Sequence, residues 1–128
     1  MTNRKYINSG LNIPKSSAPI SQAVVVGNYC HISGQLAING SGEFINGSIE
    51  VQTKMAFDNL FSVLKEAGFT VDEIVFVDIA FIDLKDLEFV NPYFDNLFQK
   101  DKKPARTIYQ AAALPMNAKI KVLAVAIK

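Results

Sequence analysis

The sequence has one cysteine, Cys30, one histidine, His31, and no tryptophan. A single cysteine cannot form a disulfide within the chain, and its apolar surroundings predict a buried free thiol in a reducing compartment. Metal sites need several His, Cys, Asp or Glu side chains at characteristic spacings. Because that pattern is missing, we expect no metal site and no cofactor.

Long runs of one kind of residue are also missing. The formal net charge is +1, and no basic run is longer than Lys102-Lys103, so nucleic acid is not an expected partner. No apolar stretch approaches the length of a membrane span, and residues 1–6 lack the apolar region of a signal peptide. We therefore expect a cytoplasmic protein without a membrane partner.

The composition is rich in apolar residues for a small protein. A chain of 128 residues suits one compact domain, which we assign to residues 1–128. Hydrophobic residues make up 49% of the sequence and charged residues only 20%. This balance leaves apolar surface that self-association would hide.

Apolar periodicity predicts two helices. The first covers residues 49–67, with Gly68 placed for a left-handed C-terminal cap. The second lies within residues 87–99, and we expect its regular part to begin near Pro92 with Asn91 as the cap. Its apolar stripe consists of Phe89, Val90, Tyr93, Phe94, Leu97 and Phe98. Of these, Phe89, Tyr93, Phe94 and Leu97 are expected in the core.

Strand patterns surround these helices. A hairpin is predicted over residues 23–33 around the turn Gly27-Asn28, and further strands over residues 74–82, 105–110 and 118–127. Residues 7–22 and the turns near 39–48 are expected to be loops, the latter forming a flexible connection to the first helix. The order ββ, helix, β, helix, ββ predicts an α+β sheet with two helices on one face.

The last predicted strand is apolar on both faces. Alternation places Ile120, Val122, Ala124 and Ala126 on one side, which can pack under the helices. Leu123, Val125 and Ile127 lie on the other side and need a second cover. A trimer with its sheets facing inward would provide that cover.

Arg106 is the strongest candidate for binding a ligand. Pro104 stiffens the backbone before it, and the residues that follow are strand-like. A guanidinium presents a planar fork of donors that suits a carboxylate or a phosphate. The alternative is an arginine in a surface ion pair.

Several short motifs occur in a characteristic order. They are Ser33-Gly34-Gln35, Ala67-Gly68-Phe69, Asp83-Leu84-Lys85-Asp86, Val90-Asn91, Pro104-Ala105-Arg106 and Leu114-Pro115. With them the chain resembles the RidA/YjgF family over nearly its whole length. The resemblance implies a chorismate-mutase-like fold with a six-stranded sheet, a homotrimer, and ligand sites in the clefts between subunits.

The resemblance also implies a reaction. Family members hydrolyse enamine and imine intermediates to 2-oxo acids and ammonia, which makes an imino acid or small carboxylate the implied ligand. The matching arginine, Arg106, would bind the substrate carboxylate, and the backbone at Ile108 would hold the imine and the water. Ser33 and Gly34 would line the cleft, with Ile20 as a further wall residue. Tyr109 follows Arg106 closely and is another candidate wall residue, although a tyrosine in a subunit interface is the commoner use.

Three positions depart from the family pattern. Leu123 stands where better-characterised deaminases carry a glutamate that handles the water, Ile20 replaces an aromatic residue, and Ile108 replaces a cysteine. Leucine cannot accept a proton, so a non-catalytic binder or sensor of small carboxylates is an equally direct interpretation. Asp78 is a candidate substitute acid, although an ion pair with Lys119 or Lys121 is the alternative. Glu43 is a weaker candidate.

Overall fold

The structure, a computed structural model, describes residues 3–128. Across this part of the chain no helix has the length and apolar character needed to cross a membrane. The main elements have these bounds in chain order: β1 Arg4–Ile7, β2 Ala23–Val26, β3 Tyr29–Gln35, α1 Ile49–Glu66, β4 Ile74–Phe81, α2 Leu87–Asp95, β5 Ala105–Gln110 and β6 Ile120–Ile127.

The strands form one six-stranded sheet in the order β1-β2-β3-β6-β4-β5. All neighbours are antiparallel except β4 and β5, which run parallel, with α2 in their crossover. Strand β1 was not among the predicted strands. Three of its four residues are exposed and only Ile7 is buried, so it carries no alternating apolar signal.

Helix α1 confirms the prediction from periodicity. Ser48 caps its N-terminus by accepting a hydrogen bond from the Val51 amide at 3.2 Å. Gly68 has φ +87° at the other end, the left-handed conformation that its residue type predicted. The buried face of the helix includes Phe57 and Leu60, both fully buried.

Helix α2 begins earlier than predicted. It starts at Leu87, and Pro92 lies inside it rather than at its first turn. A proline there loses the hydrogen bond to the Glu88 carbonyl, and its ring crowds that carbonyl. Burial of Val90 and Phe94, one turn apart on the same face, offsets both costs.

Most of the expected apolar stripe of α2 packs into the core, and Phe89 is the exception. Phe89 is 54% exposed, so its prediction as a core residue was wrong. The buried side chains at this position of the fold are Val90, Phe94 and Phe98, with Tyr93 and Leu97 packed against them.

The two faces of the sheet differ sharply. On the helix-covered face the four predicted residues of β6, Ile120, Val122, Ala124 and Ala126, are fully buried. On the opposite face, which we call the open face, Leu123 and Val125 are half-buried and Ile127 is 40% exposed. A small second cluster of Leu36, Ala80, Leu114 and Ala118 covers one end of the open face.

The connection from β3 to α1 is anchored by side chains of the helix. The Asn59 amide donates to the carbonyls of Leu36 and Ile38 at 2.9 and 2.8 Å. Buried Gln52 donates to the Gly47 carbonyl and accepts from the Lys119 amide, both at 2.9 Å. These contacts hold a segment that was expected to be a flexible connection.

Candidate functional site

Arg106 lies on β5, at the edge of the sheet, with its side chain toward α2. Its Nη1 donates to the Asn91 Oδ1 at 2.9 Å. Its Cζ lies 4.8 Å from the centroid of the Phe94 ring, a cation–π contact. Phe94 is itself fixed by the Phe57 and Phe98 rings at 6.0 and 5.1 Å. A neutral amide and an aromatic face thus orient the guanidinium.

No ion pair involves Arg106 within residues 3–128, so the surface ion-pair alternative does not hold there. Asn91 occupies one of the five N–H donors of the guanidinium. The remaining donors face an open depression that Lys103, Pro104 and Asp95 complete. Lys103 is paired with the Asp95 carboxylate at 2.9 Å, which leaves Arg106 as the cation without an acidic partner in this depression.

A second concave site lies on the other side of the sheet. It is a cavity of about 200 Å³ beside the Gly34 end of β3. Two predicted site residues, Ile20 and Gly34, line it. Its other lining residues are mostly apolar, and they are Pro14, Lys15, Ser16, Ala18, Gln22, Gln35, Leu36, Ile38, Pro115, Met116 and Lys121.

The wall of this cavity rests on a buried hydrogen-bond network. The Ser33 hydroxyl donates to the Ser21 carbonyl at 2.6 Å, and the Gln35 amide donates to the Gln22 Oε1 at 2.9 Å. The register between β3 and β6 shifts between Ile32 and Gln35, at Ser33-Gly34. Such a bulge changes the direction of neighbouring side chains. Ser33 therefore supports the cavity wall, whereas Gly34 contacts the open space.

Leu123 lies at the centre of the open face, directly opposite Asp78 on β4. Asp78 is in turn opposite Thr107 on β5, and the Thr107 hydroxyl donates to its Oδ1. The predicted ion pair of Asp78 with Lys119 or Lys121 does not form in the described chain. Strand register explains why, since Thr107 is the direct neighbour and Lys121 lies opposite Ala80.

The structure unites only part of the predicted site. Ile20 and Gly34 meet at the cavity, and Leu123 follows the cavity residue Lys121 by two positions on the same face of β6. Tyr109 is 43% exposed and lies across Ala80 from Lys121.

Arg106 stands apart from these residues. It is opposite buried Val77, and Ile108 is opposite buried Ile79, so both point to the helix-covered face. Glu43 lies in a turn tied by Asn39 and lines neither the depression nor the cavity.

Residues that were not predicted as site residues shape both sites. Asn91 and Phe94 orient Arg106 from α2, and Lys121 enters the cavity from β6. Asn91 was interpreted as a helix cap and Lys121 as an ion-pair partner. Both roles depend on cross-element contacts that spacing along the chain does not specify.

Cys30 lies on β3, is buried on the helix-covered face, and lines neither site. Burial raises the pKa of its thiol from 9.0 to about 11. At neutral pH the group is a protonated thiol, which is a poor nucleophile. The prediction of a buried free cysteine is confirmed.

The fold and the two concave sites define a small α+β protein with cations at both sites. The endoribonuclease L-PSP family model matches residues 10–128. A RutC family protein of Sulfurisphaera tokodaii is 36% identical over 119 residues, 90% of this chain and 92% of its own. The human 2-iminobutanoate/2-iminopropanoate deaminase is 36% identical over 116 residues, 90% of this chain and 84% of its own.

Comparison with solved structures agrees with these sequence matches. The crystal structure of the E. coli YjgF gene product matches with a TM-score of 0.86 and 29% identity, covering 97% of this chain and 99% of that one. The chain belongs to the endoribonuclease L-PSP family, which confirms the resemblance to RidA/YjgF proteins.

Proposed function

We propose that this protein hydrolyses 2-imino acids and their enamine tautomers to 2-oxo acids and ammonia. Water adds to the C=N carbon, a proton moves to nitrogen, and the carbinolamine expels ammonia as the carbonyl forms. Three relatives that are 34 to 36% identical to this chain are named 2-iminobutanoate/2-iminopropanoate deaminases. The observation that carries the proposal is the Arg106 guanidinium, oriented by Asn91 and Phe94 and without an acidic partner in its depression.

In this proposal Arg106 binds the substrate carboxylate through two parallel hydrogen bonds. β5 is an edge strand, so backbone groups near Ile108 face outward and are available to the imine and the water. The cavity at Gly34 and Ile20 would receive the rest of the substrate. Because that cavity and Arg106 lie on opposite faces of one sheet, the complete site requires Arg106 from a neighbouring subunit of a homotrimer.

Proton transfer is assigned to Asp78 in the same proposal. Cross-strand partners have Cβ atoms about 5 Å apart. Asp78 therefore places a carboxylate next to Leu123, the position at which better-characterised deaminases carry a glutamate. The Thr107 hydroxyl orients one of its oxygens and leaves the other to accept a proton. The Asp78 carboxylate on β4 would therefore transfer the proton that a glutamate at position 123 on β6 is expected to transfer.

A second candidate function is a non-catalytic binder or sensor of 2-oxo acids. It is favoured by Leu123 itself and by the lining of the Gly34 cavity, which includes no carboxylate. Both candidates share Arg106 as the anchor. They differ in whether the bound imine is turned over.

Turnover of imine generated in place by a coupled enzyme separates them. We expect Asp78→Asn to lower kcat by about 10² to 10⁴-fold, the usual worth of general acid-base help, while 2-oxobutanoate still binds. Leu123→Glu should restore turnover in the Asp78→Asn background. Leu123→Gln has the same shape without the acid and is the matched control.

One result would overturn the deaminase, and a second would overturn only the role of Asp78 in it. Hydrolysis by the unmodified protein at the rate of the uncatalysed reaction, together with firm 2-oxobutanoate binding, would establish the binder. Full turnover by Asp78→Asn would remove Asp78 from the mechanism and leave orientation by Arg106 and the backbone as the source of the rate.

A further inference from the structure

The cavity beside Gly34 contains unmatched positive charge. Lys15 and Lys121 are its charged lining residues. Neither ammonium forms a salt bridge with a carboxylate between residues 3 and 128. A small concave space with cationic and apolar walls favours an anion that also has an apolar part.

Lys121 is directed into this space by Gly34. A Cβ atom at position 34 would lie 2.9 Å from the Lys121 Cδ and 3.2 Å from its Cγ. The aliphatic stem of Lys121 therefore lies flat on the Gly34 backbone, which only a residue without a side chain permits. This contact turns Lys121 toward β3 and away from Asp78, which lies on the other neighbour, β4.

The volume and the lining of the cavity limit the kinds of ligand that it can bind. A volume of about 200 Å³ corresponds to roughly seven water volumes, enough for a short carbon chain with a terminal acid group. Ile20, Leu36, Ile38 and Met116 supply the apolar contacts. The lining contains no aromatic side chain on which a nucleobase would stack.

We infer that Lys121 selects substrates with a second acidic group, the 2-imino and 2-oxo dicarboxylates. The inference rests on the proposed function, in which Arg106 of a neighbouring subunit binds the carboxylate beside the imine. Lys121 then binds the carboxylate at the far end of the ligand. A ligand with an uncharged end would leave that ammonium half-buried without a partner, which disfavours its binding.

The test compares two ligands of equal shape by titration calorimetry. 2-Oxoglutarate ends in a carboxylate, and 5-methyl-2-oxohexanoate carries an isopropyl group in its place. We expect the unmodified protein to bind 2-oxoglutarate about tenfold more tightly or better, the usual effect of a charge-assisted hydrogen bond. Lys121→Met should abolish this preference. Lys119→Met removes a nearby lysine that does not line the cavity and should leave the preference intact.

The outcomes separate this inference from the proposed anchor. Equal binding of both ligands by the unmodified protein, or a preference that survives in Lys121→Met, overturns the role of Lys121. If Arg106→Ala abolishes binding of both ligands in that case, the anchor still stands. If Arg106→Ala changes neither affinity but Lys121→Met removes the preference, the anchor fails and charge selection by Lys121 is supported.

Discussion

The two faces of the sheet use similar residues with different results. On the helix-covered face, Cys30 and Val122 are fully buried by α1, α2 and their own neighbours. On the open face, the adjacent positions His31 and Leu123 remain exposed or half-buried. Alternation along each strand therefore separates one complete core from one incomplete surface.

The difference shows where stability and function reside. The covered face is closed within one chain. The open face combines apolar side chains with the Asp78 carboxylate and the Lys121 cavity, groups that one chain does not need for its core. Changes on the first face should affect unfolding, and changes on the second should affect association and ligands.

The largest effect is expected from a charge at the centre of the open face. Val125 lies between His31 on β3 and Phe76 on β4, where the proposed trimer would bury it. Val125→Asp would place an unpaired carboxylate in three subunit contacts at once, at a cost of several kcal/mol each, and should yield monomers. Sedimentation velocity checks this, with Val51→Asp on the exposed part of α1 as control. If the unmodified protein is a monomer at all concentrations, the shared site is wrong.

A cavity on the covered face should reduce stability instead. Phe57 is fully buried and its ring lies 5.9 to 6.0 Å from those of Phe61, Tyr93 and Phe94. Phe57→Ala should lower the free energy of unfolding by about 3 to 5 kcal/mol in urea titrations at fixed protein concentration. Val51→Ala, on the same helix but 46% exposed, should change it by less than about 0.5 kcal/mol.

Loss of Arg106 should affect binding more than folding. Arg106→Ala removes the bidentate donor and should weaken 2-oxobutanoate binding by about 2 kcal/mol or more, which calorimetry measures directly. Arg106→Lys keeps the charge but loses the planar pair of donors, so its affinity for 2-oxobutanoate should lie between those of the unmodified protein and Arg106→Ala. Unchanged affinity in the alanine variant would remove Arg106 from the site.

The smallest effect concerns the burial of Cys30. Its folded pKa of about 11 exceeds the ordinary 9.0, so the folded state holds the proton more tightly than the unfolded state. The resulting stability is complete below pH 9 and is lost as the pH rises toward 11, with on the order of 1 kcal/mol gone at pH 10. Urea titrations at pH 8 and pH 10 measure the loss. Cys30→Ala should lack this contribution, and an identical pH dependence in both proteins would contradict it.

Local patterns predicted the parts of the fold that depend on one element at a time. Alternation in β6 identified its buried face, and Gly68 marked the end of α1. β1 was missed because its residues are mostly exposed, and α2 was shifted because a single proline was given more weight than the burial of Val90.

In the candidate site, too, single-element features could be predicted and contacts between elements could not. The motif around Arg106 could be identified in the sequence, and the arrangement around it could not. The pairing of Asp78 with Leu123 and the contact of Lys121 with Gly34 depend on strand register, which is set by long-range packing.

The position of β6 has a consequence for synthesis of the protein. It lies between β3 and β4 although it follows both in the chain, and Tyr29 pairs with Ile127. Until β6 leaves the ribosome, the β1-β2-β3 ribbon and the β4-β5 pair have no strand between them, and both present unpaired edges. Contacts of such high sequence separation form slowly. We therefore expect the nascent chain to pass through a stage with two exposed sheet edges, during which it is most prone to aggregate.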